Sequence, residues 1–362
     1  MDESALVHSP LHEHHERLGA TFAPFSGWLM PLEYTGVLAE HRAVREAVGL
    51  FDVSHLGKLR VSGPGAAAYL NTRLANDLGR IAPGKAQYTL LGTPDGGVVD
   101  DLIAYLFGPD DVLLIPNAAN ATTVAARLAE GAPTGIRVDN QHHAFAIIAV
   151  QGPGSAQVLA DAGLPTDMDY MGFEPVERGG VTFTVCRTGY TGEHGYELVV
   201  PVAQAGAVWD ELASSDAVTP CGLGARDTLR TEMGYPLHGQ DISPAISPVQ
   251  AGLNWAVGWD KPAFDGADAM RALRAQGPAR RLRGLQAVGR GIPRPGMVVV
   301  DDAGADIGVV TSGTFSPTLR RGIALALVDA TYAPGAQVRV QIRDRVEAFD
   351  VVKPPFVATN VK

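Results

Sequence analysis

Asp100 and Asp101 stand side by side in the apolar run 97–107. Neighbouring side chains of an extended segment project to opposite faces, so only one of the two can enter a shared pocket. Asp101 shares its face with Val99, Ile103 and Tyr105, and Asp100 shares its face with Val98 and Leu102. Both sets are apolar, so alternation does not choose between the acids. A carboxylate in apolar surroundings can accept or relay protons and can stabilise a positive centre electrostatically. Taken alone, the pair reads equally well as two aspartates capping a turn. Glu197 opens the run 197–200. A lone strand glutamate is usually solvated or ion-paired, yet its two oxygens also suit an amino group lying beside a ring N–H. Arg226 follows a glycine-rich turn at a helix start, where a cation opposes the helix dipole and needs compensation. Pairing with Asp227 or another acid is the plain solution.

Other groupings carry less. His12, His14 and His15 lie at a polar chain end without the framing of tetrahedral metal ligands, and are read as a solvated face. No metal site is expected. Gly152-Pro153-Gly154 and Gly222-Leu223-Gly224 lack the Lys-Ser/Thr of a phosphate loop, and Asp227 stands where a dinucleotide fingerprint has its third glycine. Both are expected to be turns preceding helices. Ser54 and His55 are adjacent, but no Gly-x-Ser-x-Gly surrounds a serine, so a structural role is expected for them.

The elements that must position these residues follow from periodicity. Runs at 97–107, 112–116, 144–150, 181–187 and 196–200 are apolar and rich in β-branched residues, and read as strands. Helical patterns at 38–48, 121–129, 203–213 and 225–234 fall between them without strict βαβ alternation, which favours an α+β fold. From 271 to 294 the chain turns Arg-rich and is punctuated by Pro and Gly. Closely spaced strands at 297–300, 307–311, 323–328 and 338–342 follow, as in a small C-terminal β-barrel.

The bulk properties set limits. The 362 residues are 46% hydrophobic and 19% charged, which fits a folded protein with more than one core. A formal net charge of -10 disfavours generic attraction to nucleic acid or an anionic membrane. Two cysteines make no disulfide framework and favour a reducing compartment. The N-terminus lacks signal or transit character, and no run approaches the roughly 20 apolar residues of a membrane helix. A cytoplasmic location is expected.

An ordered set of segments resembles the T-protein family of the glycine cleavage system. It begins with Phe25-Ser26-Gly27-Trp28, Met30-Pro31-Leu32, Phe51-Asp52-Val53-Ser54-His55 and Leu74-Ala75-Asn76-Asp77. It continues through Gly96 to Leu102, Pro116-Asn117-Ala118, Arg187 to Glu193, Gly195-Tyr196-Glu197 and Gly222 to Asp227. It closes with Thr311 to Leu319 and Lys353 to Val357. The set spans nearly the whole chain. The resemblance implies a folate-binding aminomethyltransferase body with a central cavity over residues 1–275, in two intertwined subdomains, and a C-terminal β-barrel domain over 280–362. It implies transfer of the aminomethyl group on the lipoyl arm of H-protein to tetrahydrofolate, giving methylenetetrahydrofolate and ammonia, in functional association with the P- and L-proteins. It selects Asp101 as the catalytic acid. It assigns Glu197 to the pterin, Arg226 to the folate oxygens, and Tyr88, Asn117 and Tyr190 to the lining of the folate site. One departure is Leu56, where the family commonly has methionine, a swap that conserves volume.

Three rival readings fit parts of the pattern. Iron–sulfur-assembly proteins of the same folate-binding superfamily carry a Lys-Gly-Cys-Tyr/Phe-x-Gly-Gln-Glu segment, but this chain has Met233-Gly234-Tyr235-Pro236-Leu237-His238-Gly239-Gln240. The folate-binding half of a flavin-dependent demethylase would need a flavin domain. A non-catalytic pterin-binding module would not need Asp101. The seven arginines between Arg271 and Arg294, with no acid among them, could steer an acidic H-protein, or pair internally with acids nearby, with equal weight.

Overall fold

The computed structural model describes residues 6–361. The described chain divides into two compact units: residues 6–89, 101–226 and 360–361 belong to the first, and residues 90–100 and 227–359 to the second.

A six-stranded sheet anchors the first unit, in the order Phe173–Arg178, Val181–Cys186, Gly195–Pro201, Phe145–Gln151, Val48–Asp52, Val218–Cys221. Neighbours are antiparallel except the last pair, which is parallel. The central Phe145–Gln151 strand is buried on both faces, which is why its sequence is continuously apolar rather than alternating. One face packs under the Val202–Ala213 helix. That helix buries Ala205, Val208, Trp209 and Leu212 at i, i+3, i+4 and i+7 against Ile148, Val150, Leu198 and Val200. Each such large apolar side chain contributes about 1.5–3 kcal/mol on burial.

A second sheet runs Lys85–Gly92, Val98–Gly108, Asp111–Pro116, Leu59–Ser62, Arg137–Asn140. A three-stranded sheet of Val7–His8, Trp28–Glu33 and Thr21–Phe25 belongs to the first unit. In the second unit six strands close into a barrel, in the order Arg280–Ala287, Arg321–Asp329, Asp306–Ser316, Val298–Val300, Gln337–Ile342, Arg345–Val352. Closure leaves no open edge. Val338 and Val340 point inward, while Gln337 and Arg339 are exposed.

The mixed α+β class with a C-terminal barrel is what the chain adopts. Three local readings change. The Arg-rich, Pro- and Gly-punctuated stretch holds regular elements that its composition did not signal: residues Ala267–Gln276 form a helix and Arg280–Ala287 the first barrel strand, with Leu285 and Ala287 inside. The helix read at 38–48 is Val37–Glu46, and Val48 already belongs to the next strand. His15 is not on a solvated face. It is fully buried, and its Nε2 lies 2.8 Å from Asp52 Oδ2, while Nδ1 meets Tyr34 Oη at 2.9 Å. His14 meets Asp210 at 2.7 Å, and no metal-holding cluster of His, Cys, Asp or Glu occurs among the described residues. No helix among them is long and apolar enough to cross a membrane.

Candidate active site

Asp101 lies in the Val98–Gly108 strand. Leu102 pairs with Pro116, so the register places Asp101 opposite Asn117, just past the end of the neighbouring strand. Asn117 Nδ2 donates to Asp101 Oδ1 at 2.7 Å and to its backbone oxygen at 3.0 Å. Tyr88 Oη donates to Asp101 Oδ2 at 2.9 Å from the other neighbouring strand. One neutral donor on each oxygen fixes the plane of the carboxylate. The Leu74 to Asp77 segment holds Tyr88 in turn, because Asn76 Nδ2 donates to Tyr88 O at 2.8 Å and Asn76 N–H to Thr89 Oγ1 at 3.0 Å. Asp101 is half-buried, whereas Asp100, on the opposite face, is wholly enclosed.

Glu197 belongs to the six-stranded sheet. Cross-strand pairing sets Cys186, Glu197, Ala149 and Phe51 in one row, hence on one face. The apolar core of Ile148, Leu198 and Val200 fills the opposite face, so Glu197 projects away from it. Its Oε2 accepts a hydrogen bond from Thr188 Oγ1 at 2.6 Å, and Tyr105 Oη lies 3.2 Å from that same hydroxyl. Tyr105 shares its strand face with Asp101, four residues or about 13 Å further on. One face of one strand therefore supports both carboxylates.

The loop carrying Thr188 and Tyr190 is built on Gln151. Its Nε2 donates to Thr188 O and Tyr196 O, and its Oε1 accepts from Thr191 Oγ1. A Cβ at Gly189 would fall 2.1 Å from this amide and one at Gly195 2.4 Å, so both glycines are required by close approach.

Arg226 stands in the first turn of the Leu223–Met233 helix, with its guanidinium 4.7 Å from the centre of the Tyr190 ring. Asp227 is engaged by Arg230 at 2.7 Å, so a simple Arg226–Asp227 pair does not account for Arg226. The helix start is fixed by Glu40. Its Oε2 accepts from Gly222 N–H, and its Oε1 from the N–H groups of Tyr34, Thr35 and Gly36. A side chain at Gly222 would strike Leu32 O.

Burial, reinforced by the Arg226 charge, pushes His55 down to about 3, so its imidazole is neutral. Burial also lowers Lys58 to about 7. Its Nζ donates to two carbonyls, Ser54 O and Leu56 O, at 2.8 Å each. It thereby clamps the loop that carries His55. Asp52 pairs with Ile148 and lies on the apolar-core face of the sheet, away from Glu197. Burial opposes its charge, but donation from His15, Ser54 and Ser9 prevails and holds it at about 2. The Ser9–Asp52–His15 grouping is thus a buried brace on the N-terminal segment rather than part of the site.

The structure brings Tyr88, Asp101 and Asn117 into one hydrogen-bonded group, and Tyr190 and Arg226 into a cation–π pair. All six expected residues are half-buried. Sequence reading missed Thr188, Tyr105 and Gln151, whose roles depend on pairing between distant strands; the glycines flanking Thr188 and Glu197 were the available signal.

Comparison with known proteins gives this geometry a family. The GCVT N-terminal domain profile matches residues 11–261, and the glycine cleavage T-protein C-terminal barrel domain profile matches residues 280–358. The chain is 59% identical to an aminomethyltransferase of Parafrankia sp. (strain EAN1pec), covering 98% of this chain and 99% of the relative. It is 56% identical to the aminomethyltransferase of Mycobacterium tuberculosis (strain H37Rv) over the full length of both. The crystal structure of glycine cleavage system aminomethyltransferase T from Bartonella henselae superposes with a TM-score of 0.94 at 37% identity, covering 98% of this chain and 99% of that one. With both family profiles matched in order and relatives aligned end to end, the chain belongs to the glycine cleavage T-protein family of tetrahydrofolate-dependent aminomethyltransferases.

Proposed function

We propose that this chain takes the aminomethyl group from the dihydrolipoyl arm of a glycine cleavage H-protein and passes its carbon to tetrahydrofolate, with Asp101 as the acid–base residue. The observation that carries this reading is the Asp101 carboxylate, held on both oxygens by Tyr88 and Asn117. The carbon is already activated by its sulfur and nitrogen substituents, so neither a metal nor a covalent nucleophile is required. Asp101 relays the proton as ammonia departs and offsets the charge of the iminium-like carbon. Glu197 accepts from the pterin amino group and adjacent ring N–H, Arg226 meets folate oxygens, and Tyr88, Asn117 and Tyr190 line the folate site. The products are 5,10-methylenetetrahydrofolate, ammonia and the freed dithiol, and water is excluded throughout.

The partners in this reading are the lipoylated H-protein directly and the P- and L-proteins functionally, in the cytoplasm. Residues 1–275 serve as the folate-binding domain and 280–362 as the barrel domain. Of the seven arginines, Arg271 bonds to Lys261 O and stacks on Phe264, and Arg274 stacks on Trp259. Arg280 pairs with Asp329, Arg283 donates to Tyr332 O, and Arg294 donates to Gly313 O. Arg281 and Arg290 make no such contact among the described residues and present the least restrained of these charges to an acidic partner. The test of the function is an assay of ammonia and methylenetetrahydrofolate with purified aminomethylated H-protein. Formation of both, dependent on added tetrahydrofolate, is expected; ammonia release at the same rate without folate would overturn it.

A further inference from the structure

We infer that Thr188 and Tyr105 are positioning residues for Glu197, forming a directed chain of hydroxyls that holds its carboxylate toward the amino edge of the pterin. The inference rests on the assignment of Glu197 to folate above.

Donor counting sets the direction. An ionised carboxylate only accepts, and Thr188 has a single hydroxyl proton, so at 2.6 Å that proton belongs to Glu197 Oε2. Tyr105 Oη, 3.2 Å from Thr188 Oγ1, must then be the donor to it. Its phenol stays protonated, because burial first, reinforced by the nearby Glu197 carboxylate, pushes it well above the ordinary range. The chain therefore runs from Tyr105 to Thr188 to Glu197, each bond polarising the next.

Position is fixed as well as direction. Thr188 is 3% exposed, and its carbonyl is held by Gln151, which Gly189 and Gly195 pack against. The Glu197 row offers only the Cys186 thiol, which burial keeps protonated, the Ala149 methyl and the Phe51 ring. Thr188 is the one hydrogen-bond donor to Glu197 among the described residues. A half-buried carboxylate with one donor and no cation is under-satisfied for the acceptor capacity it carries. A ligand with two adjacent N–H donors completes it, and the chain behind Oε2 keeps the plane turned to receive them.

The test uses the full-length enzyme with two ligands: tetrahydrofolate, and its analogue with the 2-amino group replaced by methyl. Thr188→Val should raise the tetrahydrofolate Kd and KM about tenfold, the loss of one hydrogen bond to a charged group, with kcat at saturating folate within twofold. The same variant should change the Kd of the 2-methyl analogue by less than twofold, because that ligand lacks the amino group which the chain serves. Thr188→Ser, which restores the hydroxyl, should bind tetrahydrofolate within twofold of wild type, and Tyr105→Phe should lose about threefold with the same ligand selectivity. Equal weakening toward both ligands, or none, would overturn the positioning role, since a merely structural threonine would not distinguish them. Glu197→Gln separates the two layers of the argument: if it weakens folate while Thr188→Val does not, only the chain fails. If Glu197→Gln itself leaves folate binding unchanged, the folate assignment fails and the role of the chain goes with it.

Discussion

Replacing Asp101 by asparagine isolates its charge from its shape. Asn117 Nδ2 donates to Oδ1 at 2.7 Å, and an asparagine oxygen in that place accepts the same bond. Tyr88 Oη donates to Oδ2 at 2.9 Å. An asparagine nitrogen there would donate instead, and the tyrosine hydroxyl, both donor and acceptor, can turn its own proton aside to accept. The hydrogen-bonded frame thus survives, and tetrahydrofolate affinity should stay within a few-fold. The group proposed to take and return a proton is gone, so kcat for ammonia release should fall by about 10²–10⁴, or roughly 3–6 kcal/mol at 1.4 kcal/mol per decade. The assay is ammonia release from aminomethylated H-protein at saturating tetrahydrofolate, with calorimetric folate binding alongside. Asp100→Asn, on the opposite strand face, should lose less than tenfold in kcat and register mainly in stability. Near-normal turnover by Asp101→Asn would refute the reasoning.

Glu197→Gln presents an amide nitrogen either to the pterin donors or to the Thr188 hydroxyl, and should weaken tetrahydrofolate binding by about 2 kcal/mol, near 30-fold, by calorimetry. Arg226→Met should weaken it too, and unchanged affinity in both would make them structural residues. Lys58 holds a proton to about 10.5 when unfolded but only to about 7 in the fold. Between those values unfolding takes up a proton, so its contribution to stability rises with pH and is lost as pH falls toward 7. From pH 7.5 to 9.0 wild type should gain about 2 kcal/mol on Lys58→Met in urea melts, and parallel pH profiles would contradict this. Arg281→Glu with Arg290→Glu should raise the KM for H-protein and flatten its salt dependence without altering folate affinity; unchanged H-protein kinetics would place docking elsewhere.

The sequence made much of this legible, for reasons particular elements show. The strands at 98–108, 145–151 and 195–201 carry apolar, β-branched runs long enough to stand out; the structure shifts the first two by one residue and extends the third by one at each end. The first barrel strand did not stand out, because Arg280, Arg281 and Arg283 place charge on a segment whose inward residues are only Leu285 and Ala287. His15 was misread because its partner Asp52 lies 37 residues away and its burial comes from Trp209, which no local pattern reports. The choice between Asp100 and Asp101 illustrates the same limit. Alternation shows that the two diverge, but the Asn117 and Tyr88 contacts that distinguish Asp101 exist only once three strands are in register.

The most direct test of the central claim is a crystal structure of this enzyme with bound tetrahydrofolate. The account predicts the pterin amino group and neighbouring ring N–H on Glu197 at hydrogen-bond distance, about 2.7–3.2 Å. It also predicts the nitrogen that receives the one-carbon unit beside Asp101, with Arg226 on a folate oxygen. A pterin seated away from both Glu197 and Asp101 would contradict it.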